Sequence, residues 1–440
     1  MTDAKVVGIE SHTSQPQTSA SVFFDESGLV VSKLGEAIRK KGHLRIGTDR
    51  RLWRYVEGVY RPDGETLARV AVREILAERW RRRHSIEVLD WLRADYASLE
   101  DRPPEGVINL SNGLLDWHKR ELSKHSPGFA STVQLPVRWE PSAQCPRINT
   151  FLAEVVPEDA IDFVFEIIGY ALYPGNPYRR AVLFLGSGCN GKTVLLLIIK
   201  ALLGAANVSA VPLQVLSENR FATAELYGKL ANICGDLDAR SVRQTDIFKM
   251  LTGGDPIVAE RKHRDPFTFV PFALPIFSAN EPPLSSDQSE GWFDRWLVVP
   301  MDHRIPEDRV DPHLTLKLTT QSELEGLLVK AVEGLRRLMT RGRFDLPGSI
   351  QAACVQYRER LDTVQGFVAE ECALDPEAWT PRSNLYRAYR SWAESGGRLP
   401  VSAVTFNDHL RRGFPGQLAE RKRHGIFGWL GVGLLAERES

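Results

Sequence analysis

An α/β core built on a parallel sheet is the fold class this sequence predicts, and three observations predict it. A short apolar run, residues 181–185, is followed at once by a glycine-rich turn and then by an apolar helical stretch over residues 192–203. Three more short runs follow at residues 230–234, 274–278 and 296–299. Each is continuous rather than alternating, as expected of strands covered on both faces. Helical or hairpin segments separate these runs, which is the chain order of a parallel sheet wrapped by helices.

Composition narrows the classes further. The chain has 440 residues, 56 Lys+Arg balancing 56 Asp+Glu, with 43% apolar and 25% charged residues. That is ordinary globular usage and excludes a disordered or coiled-coil chain; the length suggests two to four domains. The longest clean apolar run, residues 194–199, is far short of the ~20 residues of a membrane helix, so no membrane association is expected. Residues 1–20 have neither a basic start nor an apolar stretch, and no secretory signal is expected. The cysteines Cys145, Cys189, Cys234, Cys354 and Cys372 lie far apart with no C-x-x-C pair. A zinc ribbon is excluded, no disulfide framework is indicated, and a reducing cytosol is the expected compartment. The balanced charge hides local asymmetry: 14 Lys/Arg against 6 Asp/Glu over residues 39–83, and 5 against 1 over residues 411–424. Such patches suit a polyanion, or equally a solvated helix face with counter-ions.

Residues 1–27 read as a flexible tail. An N-terminal domain of mixed helix and strand is expected over 28–146, with a helical period over residues 67–91 and a strand and turn at 107–113. Residues 148–172 read as helical with an interruption at Pro157, and Pro174-Gly175-Asn176-Pro177 as a linker. The core and its preceding helices fill 147–345. A helical connector and small domain fill 346–440. There, helical patterns at 383–394 and 404–412, a basic turn and the strand-like run Ile426-Phe427-Gly428-Trp429-Leu430 suggest a winged-helix-like module.

Gly186-Ser187-Gly188-Cys189-Asn190-Gly191-Lys192-Thr193 fits the phosphate-loop pattern in the context that gives it meaning, after a strand and opening a helix. Glycines let successive N–H groups turn toward a phosphate, and the helix N-terminus adds its positive end. Lys192 is expected to reach the β- and γ-phosphates of ATP, and the Thr193 hydroxyl to join the Mg²⁺ shell. Cys189 reads as a space-filling residue, with an oxidation switch as the alternative. At the end of the second apolar strand, Asp236 is expected to hold Mg²⁺ through water. Asp238 either polarises the attacking water or serves as a cap or turn residue. Asn280, after the third strand, can orient water near the γ-phosphate, and Arg295 is a candidate to reach a neighbouring subunit's γ-phosphate. An isolated Arg295 reads equally as a surface ion pair. Between these strands, two β-prone arms flank Arg261-Lys262-His263-Arg264, a tip suited to gripping a phosphate backbone without reading bases, or a solvated hairpin turn.

At these residues a resemblance enters. Lys229-Leu-Ala-Asn-Ile, Phe248-Lys-Met-Leu-Thr-Gly-Gly-Asp255, Ala259-Glu-Arg-Lys-His263, Phe277-Ser-Ala-Asn-Glu281 and Trp292-Phe-Asp-Arg-Trp296 resemble superfamily 3 helicases. The match is specifically to the phage/plasmid primase-helicase family related to the poxvirus primase-helicase. Val107-Ile-Asn-Leu-Ser-Asn-Gly-Leu-Leu-Asp116, with His125-Ser-Pro127 and Cys145-Pro146, resembles the domain that precedes the ATPase there. Leu385-Tyr-Arg-Ala-Tyr-Arg-Ser-Trp392 through Trp429-Leu-Gly-Val resembles the family's terminal DNA-binding module. The resemblance implies an AAA+-like P-loop ATPase core and a homo-oligomer, a hexameric ring with ATP between subunits, moving on single-stranded DNA. It makes Lys192 and Thr193 the phosphate-loop pair, Asp236 the second-motif acid, Asn280 the sensor, Arg295 the finger acting in trans, and Lys262 and His263 the DNA grip. Asp238 departs from the family pattern, which leaves the general base open between Asp236 and Asp238. Residues 1–150 match the intermediate domain and lack zinc-finger cysteines, so no priming activity is expected of this chain and a separate primase is a candidate partner.

The reading that follows is an ATP-driven replicative DNA helicase of a phage, prophage or plasmid, acting on replication-fork or origin DNA in the bacterial host cytoplasm. Two alternatives stand beside it: an origin-binding initiator that uses ATP without unwinding, and a P-loop phosphoryl-transfer kinase.

Overall fold

The computed structural model describes residues 20–94, 97–237, 242, 245–262, 264–285, 287, 289–396, 398 and 400–435. Packing divides the chain into two units, Met1–Glu100 and Asp101–Ser440. In the first, helices Val31–Arg39, Gly64–Leu76 and Arg82–Ala94 accompany the antiparallel strands Leu44–Ile46, Leu52–Val56 and Val59–Arg61. Leu34, Ile38, Leu52, Ala68, Val72, Leu76, Val88 and Leu92 form their common core. The helical period over residues 67–91 resolves into two helices. Ala77 takes φ 46°, a left-handed value that ends the first helix, and a 3₁₀ turn Ala77–Arg79 precedes the second. Trp80 Nε1 donates to Ser85 Oγ at 2.9 Å and fixes that corner.

The second unit is built on a five-stranded parallel sheet: β1 (Ala181–Leu185), β2 (Val208–Ser209), β3 (Ala231–Cys234), β4 (Leu274–Ala279) and β5 (Trp296–Pro300). The spatial order is β2-β3-β4-β1-β5. Side chains alternate across the sheet and supply two cores. Val182, Phe184, Ile276, Leu297 and Val299 enter one; Ala181, Leu183, Phe277, Trp296 and Val298 enter the other. On the first side lie helices Ile161–Leu172, Lys192–Leu203 and Gln321–Arg341, with Ile108, Leu115, Trp117 and Leu135 of the preceding strands in the same core. On the second side Phe248, Trp292 and Tyr357 stack around Trp296. The continuous apolar strands of the sequence are therefore strands with a core on each face.

The linker expected at residues 174–177 is a pinned turn. Asn176 is buried, accepting from Tyr170 Oη and from Arg180 N (both 2.8 Å) and donating to Arg180 O (2.7 Å), so it sets where β1 begins. At the C-terminal end, helices Thr363–Glu371, Arg382–Ser395 and Ala403–Gly413 pack with an antiparallel sheet whose spatial order is Cys372–Pro381, Ile426–Leu434, Ala419–Arg423. Phe367, Leu385, Tyr389, Phe406, Leu410 and Trp429 form its core. Much of the run expected as a basic turn is the edge strand Ala419–Arg423. Among the described residues no helix is long and apolar enough to cross a membrane.

Candidate functional site

Residues 186–191 connect the C-terminal end of β1 to helix Lys192–Leu203. Gly188 (φ 97°), Cys189 (φ 46°) and Gly191 (φ 82°) all turn left-handed, which coils the loop back over the helix N-terminus. Gly191 is also sterically required. A Cβ there would lie 2.8 Å from Val155 Cγ1 and 3.1 Å from Phe151, on the buried face of helix Pro146–Val155. That helix is anchored in turn by the buried Glu323 carboxylate, which accepts from Arg147 N (3.3 Å) and Ile148 N (3.1 Å).

Lys192 is the first residue of its helix and is 5% exposed. Its ammonium donates to Gly186 O (2.5 Å), Asn190 Oδ1 (2.9 Å) and Asn280 Oδ1 (3.1 Å). Three neutral oxygens solvate the charge without neutralising it. Burial pulls its pKa below the usual lysine value, partly opposed by Asp236 and Cys189. Asn280 follows β4 and Asp236 follows β3, so the loop, the acid and the amide come from the C-terminal ends of three adjacent parallel strands. That is where ligand crevices form in open α/β sheets. Asp236 itself has φ 51°, an exposed side chain and an N–H donated to Ser278 Oγ (3.4 Å). Thr193 is exposed at the loop's rim, as is Ser187. Asp238 and His263 lie outside the described residues.

For one part of the site the sequence carried no signal, and for another it named the residue but not its place. The segment after β5 braces the loop from behind: Met301 N donates to Leu185 O and Ile305 N to Cys189 O (both 2.7 Å), and the buried Asn190 donates its amide to Met301 O. Asn190 therefore ties the lysine to this segment, a role that only the folded loop reveals. Second, Arg295 stands at the start of β5, where Trp296 pairs with Ala181 at the start of β1. The five-residue length of β1, about 16 Å of extended chain, separates it from the glycine-rich loop of its own chain. There it donates to Thr252 Oγ1 (2.8 Å) and to Gly291 O. The adjoining Asp287 accepts from Lys249, Thr245 Oγ1 (2.7 Å) and Ser289 N (3.0 Å).

The basic hairpin is present, with strands Ile257–Ala259 and Phe267–Phe269 in antiparallel register. Its cations are not equivalent. Arg261 lies over the rings of Phe267 (4.9 Å) and Tyr227 (5.7 Å), whereas Lys262 and Arg264 are exposed at the tip.

Fold and site together define a mixed α/β protein whose polar and basic groups converge at the carboxyl ends of a parallel sheet. Residues 30–157 match a family described as D5 N terminal like, and residues 184–295 a family described as of unknown function, DUF5906. Three viral proteins are similar. "Putative helicase L207/L206" of Acanthamoeba polyphaga mimivirus is 22% identical over 70% of this chain. "Putative helicase 121R" of Invertebrate iridescent virus 3 is 21% identical over 72%, and "Putative helicase 022R" of Frog virus 3 is 22% identical over 57%. The chain spans 35%, 37% and 28% of the length of these relatives. Among solved structures, the NrS-1 C-terminal region shares the fold. In one structure the TM-score is 0.52 at 12% identity, covering 91% of this chain and 98% of that one; another gives 0.51 at 13% identity.

Proposed function

We propose that this chain is the motor portion of a superfamily 3 DNA helicase, an AAA+-like P-loop ATPase that hydrolyses ATP with Mg²⁺ and moves single-stranded DNA through a homo-oligomeric ring. The observation that carries the reading is the Lys192 ammonium, buried at a helix N-terminus among Gly186 O, Asn190 Oδ1 and Asn280 Oδ1, with no carboxylate bonded to it among the described residues. A cation solvated by neutral dipoles at a glycine-rich helix start is suited to exchange those oxygens for phosphate oxygens.

The donor set fits the nucleotide and its metal. Among the described residues no cluster of three His, Cys, Asp or Glu side chains could hold a metal ion unaided. A Mg²⁺ ion here would draw most of its shell from phosphates and water, with Thr193 and Asp236 as the protein's share. Bound, it would neutralise charge developing on the phosphates. Asn280 would orient water at the end of β4. Arg295, remote from its own loop, would serve the loop of a neighbouring subunit. Lys262 and Arg264 at the hairpin tip, with His263 between them in sequence, would hold the strand by its phosphates. The viral relatives named as helicases support the same reading.

The test is ATP turnover with and without single-stranded DNA, run beside size-exclusion chromatography with ATP and Mg²⁺. DNA-stimulated turnover in an assembled ring is the expected result. A monomer whose turnover ignores added oligonucleotide would overturn the motor reading.

A further inference from the structure

The C-terminal module carries two basic elements, and the structure treats them oppositely. On helix Ala403–Gly413 two of the three basic side chains, His409 and Arg411, are paired with acids. His409 Nδ1 lies 3.3 Å from Asp362 Oδ1 and Arg411 bonds both Asp408 and Glu420, while Arg412 lines a cavity of about 340 Å³ with Glu290, which is itself paired with Arg358. The outermost apolar position of that helix, Val404, is 74% exposed and has no cation within its own turn. The hairpin formed by Ala419–Arg423 and Ile426–Leu434 is different. Arg421, Lys422 and Arg423 are exposed and have no carboxylate partner among the described residues. His424 (φ 50°) and Gly425 (φ 81°) make the tight turn, and immediately beyond it Ile426 is 53% and Phe427 56% exposed.

Register sets what each face presents. Lys422 pairs with Phe427 and Arg423 with Ile426. Lys422 Nζ lies 5.2 Å and the Arg382 guanidinium 5.5 Å from the Phe427 ring centre. On the opposite face Trp379 crosses Gly428, where a Cβ would lie 2.5 Å from its ring, and the Arg423 guanidinium sits 5.8 Å from the indole centre. Charged side chains on an edge strand can simply prevent edge-to-edge pairing. That device accounts for the arginines and the lysine. It does not account for a phenylalanine left more than half exposed at the tip, with two cations over its ring.

We infer that this hairpin is a nucleic-acid contact in its own right. Arg421, Lys422 and Arg423 neutralise backbone phosphates, and Phe427 stacks on an unpaired base of single-stranded DNA, while helix Ala403–Gly413 makes no such contact. An exposed aromatic ring with Lys422 on the same face, and Arg421 and Arg423 along the same edge strand, matches a strand's alternation of π-face and phosphate. It is a second grip, separate in sequence and charge from the one at residues 260–266, and it stands whether or not the chain is a motor.

The test uses the full chain and a fluorescent oligothymidylate, titrated by anisotropy at several salt concentrations without nucleotide. The triple variant Arg421→Ala, Lys422→Ala, Arg423→Ala is expected to lower the salt slope by about 2, at about 0.7 per lost single-strand contact. Phe427→Ala is expected to weaken binding about tenfold without changing the slope, and Phe427→Tyr to retain affinity because the ring remains. Arg411→Ala is expected to leave both unchanged. All of these side chains are exposed, so an unchanged thermal midpoint reports an intact fold whether or not the chain turns over ATP. An unchanged slope in the triple variant overturns the proposal. Equal losses of Phe427→Ala on single strand and on blunt duplex overturn the unpaired-base contact. If turnover is absent while the hairpin variants still weaken binding, the ATPase reading falls and this one stands. If Lys262→Ala lowers the slope and the hairpin variants are silent, the reverse holds.

Discussion

Lys192 and Asp287 illustrate how single side chains here are set by what surrounds them. Removing the Lys192 ammonium deletes three polar contacts and no apolar packing. Lys192→Ala is therefore expected to reduce ATP turnover at least a hundredfold while leaving the thermal midpoint within a few degrees of the parent; unimpaired turnover would refute the phosphate site. Asp287 is a case for pH. Burial pushes its carboxyl up, but bonds from Lys249, Ser289 and Thr245 outweigh burial and hold it at about 2. A carboxyl whose pKa is lower when folded than the ~3.9 of the unfolded chain stabilises at neutral pH. That contribution is lost as pH falls from about 4 toward 2. Asp287→Asn is expected to cost about 2 kcal/mol at pH 7 and to flatten the decline of the thermal midpoint across the acid window. An unaltered acid profile would show that the pairing contributes nothing. The strand–loop–helix turn around Gly186 to Thr193 was legible in the sequence because glycine spacing directly after an apolar strand and before a helix leaves few other conformations. Asn190's grip on Met301 and Asp287's on Lys249 stayed hidden, since both join residues far apart in the chain.

Periodicity served the elements well where one local rule governed them. All four strands read from apolar runs are strands of the sheet, and the stop at Pro157 separates helices Pro146–Val155 and Ile161–Leu172. It failed over residues 67–91, where apolar spacing continues through a corner that the left-handed Ala77 imposes. Nor could spacing reveal how closely helices Ile161–Leu172 and Gln321–Arg341 cross. A Cβ on Gly169 would lie 2.2 Å from Ala331 O, and one on Gly334 2.6 Å from Phe165 O. Alanine is favoured over glycine inside a helix by about 1 kcal/mol, so an open site would gain from the exchange. Gly334→Ala is instead expected to lose about 2 kcal/mol, because backbone must move to admit the methyl. A stabilised variant, measured by chemical denaturation, would contradict the close crossing. The basic hairpin makes a similar distinction among its own residues. Lys262→Ala is expected to lower the salt slope of single-strand binding by about 0.7 with stability unchanged. Arg261→Ala is expected to loosen the hairpin, because that guanidinium stacks on Phe267 and Tyr227; equal salt effects for both would deny the difference.

For the whole molecule, the sheet separates the chemistry into two ends. The carboxyl ends of β1, β3 and β4 gather Gly186 to Thr193, Asp236 and Asn280, while Arg295 projects where β5 begins. Strand direction could be inferred from the sequence, but the separation could not, because it depends on β5 pairing parallel to β1 and in register with it. If Arg295 served its own loop, it would have to cross the length of β1, about 16 Å, more than an arginine side chain can span. Two subunits in the proposed ring would remove the difficulty if the start of one β5 were set against the neighbour's loop. Each active site would then be built from two chains, and complementation becomes the decisive measurement. Arg295→Ala and Lys192→Ala should each be inactive alone, since every interface lacks one element. Mixed in equal amounts, they form some interfaces that pair the intact loop of an Arg295→Ala chain with the intact arginine of a Lys192→Ala chain. Random assembly makes such interfaces about a quarter of the total, so turnover should recover toward a quarter of the parent value where sites act independently, and less where they are coupled. The signal must also grow with protein concentration as rings assemble. A mixture as inactive as its components, at concentrations where sizing shows rings, would return Arg295 to the role its present bonds to Thr252 and Gly291 describe, a clamp within one subunit.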